Sequence, residues 1–295
     1  MEAGNTRDAK QALSFLAAMA TVLMWASGFP ATRYLLQYYS PGAIMLLRFI
    51  VASLILIAIG AIKRIRLPKV RDLPLFAAFG ICGVFLFNFF LNTGTIHVVS
   101  GVSSFIVASS PVFTLIWARV FLKEIVKPAC WAGVGLSFCG LMVVMLSQTT
   151  GFTLNAGMLY LIGAAIAGSI LSISQRQLVK TYTVLETATY SILIGTLCML
   201  IYIPDIIIEF PGSTLPYNLA ILYMSVFPAV LAYITWGYAL SKAEKTTHVT
   251  VFLYLVPFIA TLIGYIWLGE TFSLWSLFGG VVIIGGMVLT NVIGR

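Results

Sequence analysis

The sequence predicts an all-α, polytopic membrane protein of ten transmembrane helices, arranged as two inverted five-helix repeats. Three observations predict it. Charge is scarce: 17 basic and 9 acidic residues make up 9% of the 295, while 60% are hydrophobic. Polar and turn-forming clusters cut the chain into ten apolar runs, each near the roughly 20 residues a helix needs to cross a bilayer. A set of prolines, glutamates and glycines recurs at a constant offset of 146.

The charge shortage decides the class. A soluble domain carries about 25% charged residues, so this chain lacks the groups to cover a globular surface, and its mean hydropathy is +1.03. A soluble enzyme, a nucleic-acid module and a disordered chain are excluded on that ground. The net charge of +8 does not call for nucleic acid, because the basic residues segregate by membrane face. Cys82, Cys130, Cys139 and Cys198 lie apart in apolar stretches without a C-x-x-C pair. They read as free thiols, with no metal site and no disulfide framework.

The runs are 13–36, 41–62, 73–93, 99–121, 128–147, 156–179, 185–204, 216–240, 248–268 and 274–293. The first follows a polar tail, Met1 to Ala12, and is too long for the core of a cleaved signal, so it reads as a retained span. Residues 63–72 hold five basic residues and a proline, and separate the second run from the third. Residues 147–155 and 209–216 are turn-rich, with Gly151, Asn155, Pro211, Gly212 and Pro216, and 241–247 is wholly polar. No run alternates as a barrel strand would, and in lipid only helices then satisfy the backbone. Ten spans put 15 of the 17 basic residues on one face, leaving Arg33 opposite and Arg48 inside the second run. By the positive-inside rule both termini are cytoplasmic, in a cell (inner) membrane.

The repeat pairs Pro111 with Pro257, Leu122 with Leu268, Glu124 with Glu270, Gly133 with Gly279 and Gly140 with Gly286. Upstream, an offset of 143 pairs Arg33 with Arg176 and Leu35 with Leu178. The units are residues 1–150 and 151–295. Five spans per unit is an odd number, so the second unit enters the bilayer inverted. That plan recurs in secondary transporters, whose ligand site lies near the midplane; the alternative is a duplication that merely enlarged a bundle.

The run LMWASGFPATRYLL in the first span resembles the conserved start of the drug/metabolite transporter superfamily, EamA type. So do the paired P-x10-L-x-E patterns, Pro111 to Glu124 and Pro257 to Glu270. The resemblance covers essentially the whole chain and is closest to the amino-acid exporters, including the aromatic amino-acid type. It implies alternating-access transport of a small neutral or zwitterionic metabolite, outward in direction, an amino acid above all. The second unit departs from the pattern, with GSILSISQR ending at Arg176 in place of the first-span signature.

Candidate residues follow from membrane chemistry. Gly28 and Pro30 predict a kink or break in the first helix, and Pro111, Pro228 and Pro257 free the carbonyls of Val107, Met224 and Leu253. These are candidate hinges, or packing kinks satisfied by nearby Ser or Thr. Arg48 is the one full charge well inside a span; it either snorkels to the outer end or contacts an anion. Glu124 and Glu270 end their helices, to accept N–H groups at the start of the next helix or to serve in gating pairs. Trp25, Ser27, Asn88, Ser104, Ser169, Ser172, Tyr233, Trp236 and Tyr254 lie near mid-depth as a pocket of apolar walls with a few polar groups, or as packing residues. The resemblance favours Trp25 and Tyr254, whose spans line the cavity in family members.

No acid sits in mid-span, and His97 and His248 sit at span ends, which favours facilitated diffusion or exchange over proton antiport. An enzyme would need H-E-x-x-H, paired mid-span Asp or clustered acids, and the sequence holds none. The competing ligands are a sugar phosphate or nucleotide sugar, which needs paired cations, and broad drug or metabolite efflux. No cofactor is implied. The partners are a small molecule and the bilayer, not nucleic acid, and the oligomeric state is open.

Overall fold

The structure, a computed structural model, describes residues 2–121, 128–147, 156–242 and 251–293, which are helical with short connections and contain no strand. The helices are α1 (Glu2–Leu35), α2 (Pro41–Lys63), α3 (Val70–Thr95), α4 (Ser100–Val107), α5 (Ser110–Phe121), α6 (Pro128–Leu146) and α7 (Ala156–Leu178). They continue as α8 (Val184–Gly212), α9 (Leu215–Ala239), α10 (Val256–Leu268) and α11 (Leu274–Ile293). Among the described residues six are long and apolar enough to cross a membrane: α2, α3, α7, α8, α9 and the Leu13–Leu35 part of α1. Shorter apolar stretches lie at Trp131–Val144, Val256–Leu268 and Leu274–Gly286. Large apolar side chains such as Leu16, Leu54, Leu159, Ile201 and Ile266 stand exposed on the outside, as a lipid-facing surface requires.

Helix ends are capped where the sequence offers caps. The Ser40 hydroxyl accepts from the Ala43 N–H, with Pro41 opening α2. Thr183 and Glu186 form a capping box at the start of α8, satisfying two orphan N–H groups reciprocally. The α2 helix stops at Arg64, which takes a left-handed φ of 51°.

The structure differs from expectation at two proline sites. Of the kink or break expected at Pro30, a break does not occur: α1 is helical through Pro30 to Leu35. One proline removes one ladder bond, and packing of α1 on α9 and α10 holds the helix on both sides. The span expected at 99–121 is two helices, interrupted at residues 108–109. Pro111 cannot donate to Val107, and the Ser110 hydroxyl donates to that carbonyl instead, at 2.7 Å.

Two long helices carry π-helical turns, Ala78–Leu86 in α3 and Ser225–Leu231 in α9. Adding the repeat offset of 146 to the first gives 224–232, which contains the second. Packing follows the same correspondence. The α1–α9 contact has its counterpart in α7–α3, and α1–α10 in α7 with α4 and α5. The α2–α9 contact mirrors α8–α3, while α2–α8, α4–α10 and α6–α11 pair equivalent helices.

The α6–α11 contact shows how closely the backbones approach. A Cβ on Gly140 would stand 2.6 Å from the Gly279 carbonyl, and one on Gly286 2.5 Å from the Gly133 carbonyl. Between them the Ser137 hydroxyl donates to the Ile283 carbonyl at 3.1 Å. Under the offset of 146 the Gly140–Gly279 contact maps onto the Gly286–Gly133 contact, and 137 packs on its own mate, 283. Gly140→Ala is therefore expected to destabilise the protein by about 1–3 kcal/mol through overpacking, lowering the thermal midpoint in detergent. Gly135→Ala on the same helix, where a Cβ meets nothing within 4 Å, serves as the control and leaves the midpoint unchanged.

Candidate functional site

Helices from both halves of the chain meet around a cavity of about 160 Å³. Trp25, Gly28 and Thr32 reach it from α1, each three or four residues from the last, so they share one helix face. Arg48 comes from α2, Asn88 from α3, Ser104 from α4, Ser172 from α7, and Pro228, Tyr233 and Trp236 from α9. Trp25 holds the aromatic wall together. Its ring meets Tyr233 edge-on at 5.9 Å and Trp236 at 5.5 Å, and its indole N–H donates to the Pro228 carbonyl at 3.3 Å.

Arg48 does not snorkel. It is 6% exposed, and its Nε donates to the Met224 carbonyl at 3.1 Å. Met224 immediately precedes the π-helical turn that carries Pro228, so Arg48 anchors to the backbone where the helix changes register. Arg48 Nη1 donates to Asn88 Oδ1 at 3.1 Å, and the guanidinium lies 5.1 Å from the Phe49 ring centre. The Asn88 amide donates in turn to the Val84 carbonyl at 2.7 Å, which fixes the oxygen toward Arg48. Ser104 and Ser172 commit their hydroxyl protons to Gly101 and Gly168 of their own helices, at 2.6 and 3.1 Å. Their oxygens keep lone pairs for an incoming donor.

Of the other sequence candidates, Ser27 lies outside the cavity, donating to the Met24 carbonyl and meeting the Tyr223 hydroxyl at 2.6 Å. Ser169 is buried and donates to Ile166 at 2.5 Å, also away from it. Glu124 and the side chains of Tyr254 and Pro111 lie outside the described residues. Pro257 sits in the first turn of α10, where its missing N–H costs no helical bond; the preceding Val251–Leu255 is a 3-10 turn. Sequence reasoning missed Thr32, whose buried hydroxyl has no partner among the described residues. Its signal was its spacing, one turn beyond Gly28 on the face of Trp25.

Glu270 belongs to a second cluster. The turn after α10 uses Gly269 at φ 63° and directs the carboxylate not at the following helix, as expected, but at the start of α4. There it accepts the Ser100 N–H at 3.0 Å and the Ser100 hydroxyl. Arg33 lies 3.9 Å from it and donates to the Thr95 and Ile96 carbonyls at 2.7 and 2.6 Å. One acid thus ties α1, α4, α10 and the α3–α4 turn together on one face.

The EamA-like transporter family model matches residues 12–146 and again 155–292. The chain is similar to an uncharacterized transporter, YdfC, of Bacillus subtilis (strain 168), 31% identical over 90% of this chain and 87% of that protein. It is also similar to a "probable terminal-alkyne amino-acid exporter" of Streptantibioticus cattleyicolor, 32% identical over 93% of this chain and 92% of the exporter. A solved crystal structure shares the fold, with a TM-score of 0.66 at 18% identity over 95% of this chain and 98% of that one.

Glu270→Ala leaves the Ser100 N–H without its acceptor and is expected to cost about 1–3 kcal/mol. Arg33, a third exposed, contributes little of that. Thermal unfolding in detergent checks it, with Glu270→Gln, which keeps an acceptor oxygen, recovering most of the loss.

Proposed function

The chain belongs to the EamA-like transporter family, a multi-pass membrane transporter, and on that premise we propose that it exports an amino acid or similar small metabolite by alternating access. The cargo occupies the cavity, against Trp25, Tyr233 and Trp236, with Asn88, Ser104 and Ser172 as polar contacts. The observation that carries this is the cavity itself: mostly apolar, with few polar groups, and built from both halves of the chain. The similarity to a probable amino-acid exporter supports the cargo class.

Ten spans in two inverted units, with both termini cytoplasmic at the inner membrane, are part of the proposal. The paired π turns, the matched helix contacts and the glycine contacts between α6 and α11 support it. With 19 and 20 residues, α6 and α11 are about as long as the hydrocarbon core is thick. Irregular backbone precedes both Pro111 and Pro257, at residues 108–109 and 251–255, as shared hinges would require. The Glu270 cluster then acts as a latch on the outer face. Arg176, the offset-mate of Arg33, falls on the cytoplasmic face in this topology.

Counterflow in proteoliposomes tests transport. Vesicles loaded with unlabelled Phe, Thr or a sugar phosphate are expected to accumulate labelled amino acid without a pH gradient. Trp25→Ala and Trp236→Ala lower that flux severalfold while the protein stays in the membrane; exchange of sugar phosphate alone would overturn the cargo. Single cysteines in 63–72 and 209–215 are expected to label from opposite faces, since five spans separate them. Labelling from one face would overturn the inversion.

A further inference from the structure

We propose that Arg48 is the carboxylate-binding group of this cavity, so that the cargo is recognised as a monocarboxylate with an apolar tail and its ammonium group is dispensable. The inference rests on the cavity being the cargo site. An arginine has five N–H donors in a planar fork. Two are taken, by Met224 and Asn88, and the other three have no acceptor among the described residues. The side chain is 6% exposed and lines the cavity, so those donors have only the cavity to turn to. Among the described residues no acidic one lines it. Five carboxylates are engaged elsewhere: Glu270 at Ser100, Glu186 at Thr183, Asp205 and Glu209 at Ser40, and Asp72 at the Tyr182 hydroxyl.

A buried cation without a counter-ion is costly, and a carboxylate accepting a bidentate pair offsets that cost with the geometry a guanidinium prefers. Thr32, with its unpartnered hydroxyl on the same cavity, offers a further donor. The rest of the lining sets the tail. Trp25, Tyr233 and Trp236 present aromatic surface, and the size is restrictive, since an apolar cavity of about 150 Å³ holds one benzene. A ring or a short branched chain fits; a nucleotide sugar does not. A phosphate dianion would want a second cation, and among the described residues Arg48 is the only basic one in the lining.

The test is equilibrium binding to the purified protein in nanodiscs, read by tryptophan fluorescence, with 3-phenylpropanoate, its isosteric neutral amide 3-phenylpropanamide, and phenylalanine. The two carboxylates are expected to bind alike and the amide about ten- to a hundredfold more weakly, the worth of a charge-assisted hydrogen bond. Arg48→Gln is expected to erase that preference. Asn88→Asp, which sets a carboxylate against Arg48 while keeping its acceptor, is expected to erase it too, and serves where Arg48→Gln fails to fold. Equal binding of acid and amide to the unsubstituted protein overturns the proposal, as does absence of carboxylate binding or an acid preference that survives Asn88→Asp. Carboxylate binding without counterflow leaves Arg48 as the site and overturns transport instead.

Discussion

The hydrogen bond from Arg48 to the Met224 carbonyl is the contact around which this structure is organised. In a bilayer every backbone group must find a partner inside the protein, and Met224 stands where α9 changes register into the π turn that carries Pro228. A neutral donor would have sufficed. The guanidinium does more, because after serving Met224 and Asn88 it still has donors to spare. It also bridges α2, α3 and α9, so the backbone defect, the polar network and the cavity wall are one feature. Trp25 completes the arrangement from α1 by donating to the Pro228 carbonyl itself, which fixes the aromatic wall to the same irregular turn.

The other irregular sites obey the same constraint with different residues. Val107 receives the Ser110 hydroxyl, and Pro257 is placed where a helix begins and no donor is missed. Irregular backbone at membrane depth is costly unless it lines a cavity or serves a motion. Here it recurs at offset-related positions in α3 and α9, and again before Pro111 and Pro257. Beside it lies the rigid α6–α11 pair, where glycines bring two backbones into contact and leave little room for change. None of the described residues lining the cavity belongs to α6 or α11.

Much of this was legible in the sequence because membrane chemistry is so restrictive. Apolar runs and polar breaks located the helices, and the paired prolines and glycines announced the repeat. Trp25, Asn88, Tyr233 and Trp236 were legible because polar and aromatic groups in mid-span need a reason. Direction along a helix was harder. Ser27 is two residues from Trp25, about 200° around the helix, and so meets Tyr223 instead of the cavity. Thr32 was passed over because a threonine in a helix ordinarily bonds its own turn. Arg48 was open to two readings since snorkelling depends on what stands between a side chain and the interface. Glu270 was expected to serve the next helix, because nothing local reveals that Gly269 turns it toward Ser100.

The lone cation bears on energetics as well as recognition. A carrier driven by protons needs a group in the membrane that changes charge as it turns over, and an arginine does not. On the proposal that Arg48 binds the cargo carboxylate, the charge in the cavity is balanced when a carboxylate occupies it. Conformational change with the cavity empty must carry the uncompensated charge of Arg48 through an occluded, low-dielectric state, whereas the loaded cavity carries a neutral pair. A ligand shifts a conformational equilibrium only by its differential affinity for the states, and occlusion is the state in which that pairing is strongest. Loaded turnover is then faster than empty return. On that proposal, a chain with this cavity is expected to exchange one carboxylate for another more readily than it moves either alone, with its net direction set by the gradients of the cargo on the two sides.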